Sequence, residues 1–392
     1  MNLTLPEPGA DERAHSDELV ALIRNEISVS GAIAFSRFME LALYAPGLGY
    51  YSAGRTKFGA AGDFVTAPEL GDLFARTLAR AFAPALRELG RDADFLEIGG
   101  GSGAFALAAL RELAQLDALP QRYLILEPSA DLRERQRARA QAQLPPELAA
   151  CMQWISSPPE KAWRGVLFAN EVVDALPTTR FVIREGEVFE EYVALDEERF
   201  ARVDRPADML VANAVRHVER ALDAPFADGY RSEILPQLPY WIEAVAGSLQ
   251  AGVALFVDYG YPRREFYLPE RRDGTLVCHY RHRAHADPLH WPGLQDITAF
   301  VDFTALAEAG VGAGFDFVGY APQGQFLLAS GLADLIDATP ALPAIERVRL
   351  IAETKRLTLP GDMGERFQAI AFSRNVENAL PGLHAFDLSR RL

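Results

Sequence analysis

The sequence predicts an α/β fold: a mostly parallel sheet with helices on both faces and an antiparallel last strand. Three observations predict it. Between residues 94 and 169, apolar runs of strand length alternate with stretches of helical spacing. The first of those runs, Phe95-Leu96-Glu97-Ile98, feeds the glycine-rich turn Gly99-Gly100-Gly101-Ser102-Gly103. A later run, Val253-Ala254-Leu255-Phe256-Val257-Asp258, is apolar up to its final acid, as a strand buried on both faces requires.

The elements follow in order. Residues 16–48 carry apolar groups at helical spacing, and 43–62 is rich in Gly, Pro and Tyr, so a helical N-terminal segment, 1–62, packs on the core through irregular chain. A helix from Pro68 to Leu89 opens the main domain, 63–392. Strand Asp94 to Ile98, helix Ala104 to Leu116, strand Arg122 to Glu127 and helix Ser129 to Gln143 come next, then strands Met152 to Ile155 and Gly165 to Ala169. Alternation over 179–203 around Glu185-Gly186 predicts a hairpin. It opens the first of three insertions, about 178–250, 260–300 and 324–360, which follow the fourth, fifth and sixth strands. Helical segments fill the first to Gln250, the second is polar, and the third is helical. Helix Phe303 to Ala309 and strands Phe315 to Tyr320 and Phe367 to Ser373 complete the pattern. The insertions after the fourth and fifth strands lie over the carboxyl edge, where open α/β sheets bind ligands.

Composition narrows the partners. With 392 residues, 49% hydrophobic, the chain buries a full core. No apolar run approaches the roughly 18 residues of a spanning helix, and acids near the start argue against a leader, so the cytoplasm is the expected compartment. A net charge of -15 repels a phosphate backbone, which disfavours nucleic acid and favours a protein, peptide or small molecule. Cys151 and Cys278 are too few for a disulfide framework or a structural zinc site. The histidines 279, 282, 285 and 290 match no familiar zinc spacing, so no metal is expected.

The glycine turn points to a nucleotide-like cofactor held at the start of a helix, with Gly99, Gly101 and Gly103 supplying backbone angles closed to other residues. Its spacing also suits a dinucleotide. Glu97 separates the two, because a carboxylate beside the turn repels a pyrophosphate and favours an ammonium or a sulfonium. That favours S-adenosylmethionine, with Glu127 at the next strand end available to its ribose hydroxyls.

Beyond the turn, matches run from residue 38 to 373. They include Gly49-Tyr50-Tyr51, Gly62-Asp63-Phe64-Val65-Thr66-Ala67-Pro68-Glu69-Leu70, Tyr123-Leu124-Ile125-Leu126-Glu127-Pro128-Ser129 and Ala169-Asn170-Glu171-Val172-Val173-Asp174-Ala175-Leu176-Pro177. Asp258-Tyr259-Gly260, Asp296-Ile297-Thr298 and Met363-Gly364-Glu365 continue them. In these the chain resembles the MidA-like methyltransferase family, whose mitochondrial members are protein arginine methyltransferases that assist respiratory complex I assembly. The resemblance implies a Rossmann-like class I methyltransferase sheet and a protein substrate. Val172-Val173 and Cys278-His279 depart from the family pattern.

Methyl transfer to a guanidinium must overcome a delocalised positive charge, and two carboxylates facing it would localise that charge away from the attacking nitrogen. Glu171 and Asp174 form that expected clamp, against the alternative of a turn cap and a backbone acceptor. Asp258 either orients the acceptor or forms a turn, and His282 either accepts a proton or is a solvated loop residue. Asp63, Thr66 and Glu69 are expected at the methionine end of the cofactor, with a helix cap as the other role for Thr66. Asn170 contacts the cofactor or holds its loop. Methylation of a small molecule or RNA, and a non-catalytic assembly factor keeping the cofactor fold, are the competing functions.

Overall fold

The computed structural model describes residues 5–53, 66–337 and 342–392. Its contacts divide the chain into two units. One comprises Val65–Val172, Leu238–Gly260 and Phe303–Leu392; the other comprises the described part of Met1–Phe64 with Val173–Gln237 and Tyr261–Asp302.

The first unit carries the sheet. Its strands, numbered along the chain, are β1 Asp94–Ile98, β2 Tyr123–Leu126, β3 Met152–Ile155, β4 Trp163–Asn170, β5 Leu249–Tyr261, β6 Asp316–Pro322 and β7 Phe367–Arg374. They lie in the order β6-β7-β5-β4-β1-β2-β3. All neighbours from β5 to β3 are parallel, and β7 runs antiparallel between β5 and β6. The last strand of the chain is thus the reversed one, as expected. The order turns back at β1, whose neighbours are β2 and β4, and this switch point opens a crevice at the carboxyl ends of β1 and β4.

The sheet's helices form for ordinary reasons. In Leu73–Leu89, Phe74, Leu78, Phe82 and Leu86 recur every four residues and are buried as one stripe, with Phe82 edge-on to Phe95 of β1 at 5.4 Å. Phe105, in the helix Ala104–Gln115, stacks on Phe168 of β4 at 4.3 Å. The third insertion resolves into the helices Gln323–Ala329, Leu332–Asp337 and Ala344–Thr358, and Glu353 of the last accepts the Leu73 N–H at 2.7 Å, capping another helix. At the amino edge, Gly165 and Gly252 sit beside Asp94 in register, with φ of 147° and 148°. A Cβ on either would lie 1.8 Å from the carbonyl oxygen of the neighbouring strand.

The helical N-terminal segment consists of two helices, Ala10–Ser30 and Phe35–Tyr44, parted by Gly31 in left-handed conformation at φ 76°. These helices cluster with the segments 173–237 and 261–302. The hairpin is present, Thr179–Arg184 against Glu187–Asp196, turning through Glu185 and Gly186 at φ 51° and 81°. The segment read as helical up to Gln250 also contains a strand, Arg231–Ile234, paired with Thr179–Arg184. The polar stretch 260–300 holds a three-stranded sheet of its own, Val277–Tyr280, Arg283–His285 and Asp296–Thr298.

An ion network crosses this unit. Arg180 is 1% exposed and pairs with Glu191 at 3.3 Å, Glu233 at 3.1 Å and Asp273 at 2.8 Å. Arg231 adds a second bond to Glu191 at 2.6 Å, and the Thr275 N–H reaches Glu233 at 2.7 Å. Burial pushes the Glu233 carboxyl up, and Arg180 pulls it back down. Among the described residues no helix is long and apolar enough to cross a membrane.

Candidate active site

β1 delivers the chain into the crevice through Gly99, Gly101 and Gly103 at φ 70°, 52° and 81°, and Gly103 caps the helix Ala104–Gln115. No residue with a side chain takes that succession cheaply, so the glycines of the sequence motif are present for the turn itself. Val172 closes over it: a Cβ on Gly99 would be 3.1 Å from the Val172 Cγ2.

The turn is gripped from behind by residues the sequence did not single out. Gln136 Nε2 donates to the Gly101 carbonyl at 2.8 Å, and Trp154 Nε1 donates to Gln136 Oε1 at 2.7 Å. Arg139 Nη1 donates to the Ser102 carbonyl and to its Oγ, at 3.2 and 2.7 Å. The Ser102 hydroxyl in turn donates to Glu69, so one of the three residues expected near the methionine end is tied to the turn. Thr66 is the N-cap residue of the short helix Ala67–Leu70, and its side chain makes no capping bond. Asp63 lies outside the described residues.

Two acids flank the turn. Glu97 is 3% exposed, and Tyr123 Oη donates to its Oε2 at 2.8 Å. Burial pushes its carboxyl up to about 7, the Tyr123 bond opposes the rise, and the charge of Glu127 adds to it. A cation placed beside it would restore the ionised form, whereas a pyrophosphate would not. Glu127, 5% exposed at the end of β2, accepts the Ser129 N–H at 2.9 Å, and the Ser129 side chain caps the helix Ala130–Gln143.

At the end of β4, Asn170 donates to Glu171 Oε1 at 3.0 Å, while its own Oδ1 is buried with no hydrogen-bond partner among the described residues. A buried acceptor of this kind suits a donor brought by a ligand. Glycine turn, paired acids and orphaned amide oxygen together fit a ligand with a cationic centre and hydroxyl or ammonium donors, which describes S-adenosylmethionine. Glu171 has φ 53°, and its N–H donates to the Val257 carbonyl at 2.9 Å. Left-handed conformation is uncommon for a glutamate, and here it falls at the carboxyl end of a central strand beside the glycine turn.

The remaining candidates separate. Asp258 is 1% exposed, and its carboxylate accepts the N–H groups of Val172 at 3.2 Å and Tyr259 at 2.9 Å. Through these bonds it ties the loop after β4 to the end of β5. Asp174 belongs to the other unit, where it is buried and its carbonyl accepts the Ala299 N–H at 3.0 Å. His282 is exposed at φ 60° and, with Arg281 at φ 47°, forms the two-residue loop between paired Tyr280 and Arg283. Among the described residues no group of three or more His, Cys, Asp or Glu could hold a metal.

Comparisons with known proteins agree with this geometry. The family model described as "Putative S-adenosyl-L-methionine-dependent methyltransferase" matches residues 77–321. A crystal structure of a Burkholderia thailandensis protein bound to S-adenosyl-homocysteine superposes with a TM-score of 0.92 at 42% identity, covering 99% of this chain and all of that one. The mitochondrial protein arginine methyltransferase NDUFAF7 of Danio rerio is 29% identical, over 88% of this chain and 84% of its own. Its Drosophila melanogaster homologue is 27% identical over 94% and 88%. With a glycine turn, two flanking acids and a family model that covers well over half of its length, the chain belongs to the S-adenosyl-L-methionine-dependent methyltransferases.

Proposed function

We propose that this enzyme methylates an arginine side chain of a protein, and that Glu171 is the carboxylate that receives the guanidinium. The observation that carries the proposal is the left-handed Glu171 at the end of β4, beside the turn that Val172 closes. The names of the relatives NDUFAF7 of Danio rerio and its Drosophila homologue support arginine as the acceptor. The two free cysteines suit a reducing compartment, the cytoplasm.

Residues divide the work as follows. Glu97, Glu127 and Asn170, with the glycine turn, hold the cofactor, which supplies when bound a methyl group on a positive sulfur. Glu171 accepts hydrogen bonds from the guanidinium and draws its positive charge toward one side, which leaves lone-pair density on the nitrogen aimed at the methyl. Transfer forms a nitrogen to carbon bond, breaks the carbon to sulfur bond and releases one proton from the methylated nitrogen. Asn170 fixes Glu171, and Asp258 fixes the loop.

The test is to incubate the protein with labelled S-adenosylmethionine and host lysate and to identify what carries the label. A methylated arginine in a protein band is expected. Glu171→Gln should lower transfer by about 100-fold or more while S-adenosylmethionine affinity stays within a few-fold. Label confined to a metabolite fraction sinks the protein substrate, and undiminished turnover in Glu171→Gln sinks the role of that residue.

A further inference from the structure

Gln136 and Arg139 lie three residues apart on one face of the helix Ala130–Gln143 and hold two successive carbonyls of the glycine turn. Gln136 is fully buried, while most long polar side chains of that helix face solvent. A side-chain amide has a donor end and an acceptor end, and Trp154 decides which faces the turn. An indole N–H only donates, so it takes Oε1 and leaves Nε2 for the Gly101 carbonyl. In a planar trans peptide the C=O and N–H point to opposite sides, so fixing the Gly101 carbonyl turns the Ser102 N–H away from Gln136. Gln136 also fills the back of the turn: a Cβ on Gly100 would lie 3.2 Å from its Nε2, and one on Gly103 would lie 3.4 Å from its Cγ.

We propose that Gln136, oriented by Trp154, is a positioning residue that holds the Gly101 peptide in the state that receives S-adenosylmethionine, and so sets cofactor affinity and not the rate of methyl transfer. The proposal rests on the cofactor assignment of the family. Gln136→Met keeps the length of the side chain and removes the donor; Trp154→Phe keeps most of the ring and removes the hydrogen bond that orients the amide.

The experiment measures S-adenosylmethionine binding by titration calorimetry, KM for the cofactor and kcat at saturating cofactor, with the melting temperature of each cofactor-free variant. Gln136→Met is expected to weaken binding and raise KM by about tenfold, the equivalent of one buried hydrogen bond. Trp154→Phe should do so by a few-fold, and kcat should stay within about twofold in both. A variant with wild-type affinity and a lowered melting temperature would overturn the proposal in favour of plain packing. If Gln136→Met does not fold, unchanged affinity in Trp154→Phe still overturns it. Absence of binding by the unsubstituted protein would instead overturn the cofactor assignment.

Discussion

The two units use buried charge differently. The sheet unit pairs Glu112 with Arg76 and Arg80, and Asp94 with Arg122, yet it also keeps the buried acids Glu97 and Glu127 at the carboxyl edge, where a ligand arrives. In the other unit the ions lie inside: Arg180, Glu191 and Glu233 are each no more than 2% exposed, and Arg180 with Arg231 supplies the countercharge to the two acids. The contrast separates charge kept for a ligand from charge kept for shape. An acid whose ionisation is left uncompensated by the protein is available to a cation from outside. An acid already paired is not.

Three measurements bear on that contrast, beginning with the largest effect. Arg180→Met leaves Glu233 and Glu191 short of their countercharge and should cost about 3 to 5 kcal/mol in chemical denaturation, as breaking a buried pair does. A loss near 1 kcal/mol, that of an average substitution, would mean the ions matter little to the fold. Gly99→Val comes next. A β-branched residue at φ 70° meets about 1 to 2 kcal/mol of strain and crowds Val172, so cofactor affinity should fall by at least about tenfold, with the strain appearing as lower stability. Wild-type affinity in this variant would show that the turn does not shape the site.

The smallest effect is a pH dependence. The Glu97 carboxyl is pushed from the ordinary 4.5 up to about 7 by burial. Ionisation is therefore disfavoured in the folded protein, and stability without cofactor should decline as pH rises from about 4.5 to about 7, then level off. A cationic ligand favours the ionised form, so affinity for S-adenosylmethionine should rise with pH up to about 7 and flatten above it, with proton release on binding below that point. Calorimetry in two buffers of different ionisation enthalpy reads that proton directly. Affinity independent of pH between 5.5 and 8, tested with Glu97→Gln as the reference, would assign Glu97 to structure alone.

How much of this was legible follows from the same contrast. β1, β2, β4 and β5 announce themselves because a strand buried on both faces is a mainly apolar run, and the glycine turn and Glu171 sit at the ends of such runs. The strand Arg231–Ile234 was missed because it is four residues long and buries Glu233, a charged residue whose partner lies 53 positions away. Patterns of polarity cannot announce a buried ion pair. Gln136 was silent for a related reason: it is one polar residue in a helix of mean polar character, and only Trp154 and Gly101 reveal its purpose. Asp258 and His282 stand out in the sequence as residue types, but the turns that hold them appear only in the structure.

Gly165 and Gly252 stand at the edge of the sheet farthest from the chemistry, yet they constrain it. Sliding β4 or β5 along its neighbour by one residue would carry a valine, Val166 or Val253, to where a Cβ lies 1.8 Å from a carbonyl oxygen. One misstep of about 3.3 Å would carry Glu171 and Asp258 as far from the glycine turn. The two glycines thus serve as a stop that sets the alignment of the strands, so that a tolerance fixed at one end of the sheet becomes the accuracy of the active site at the other.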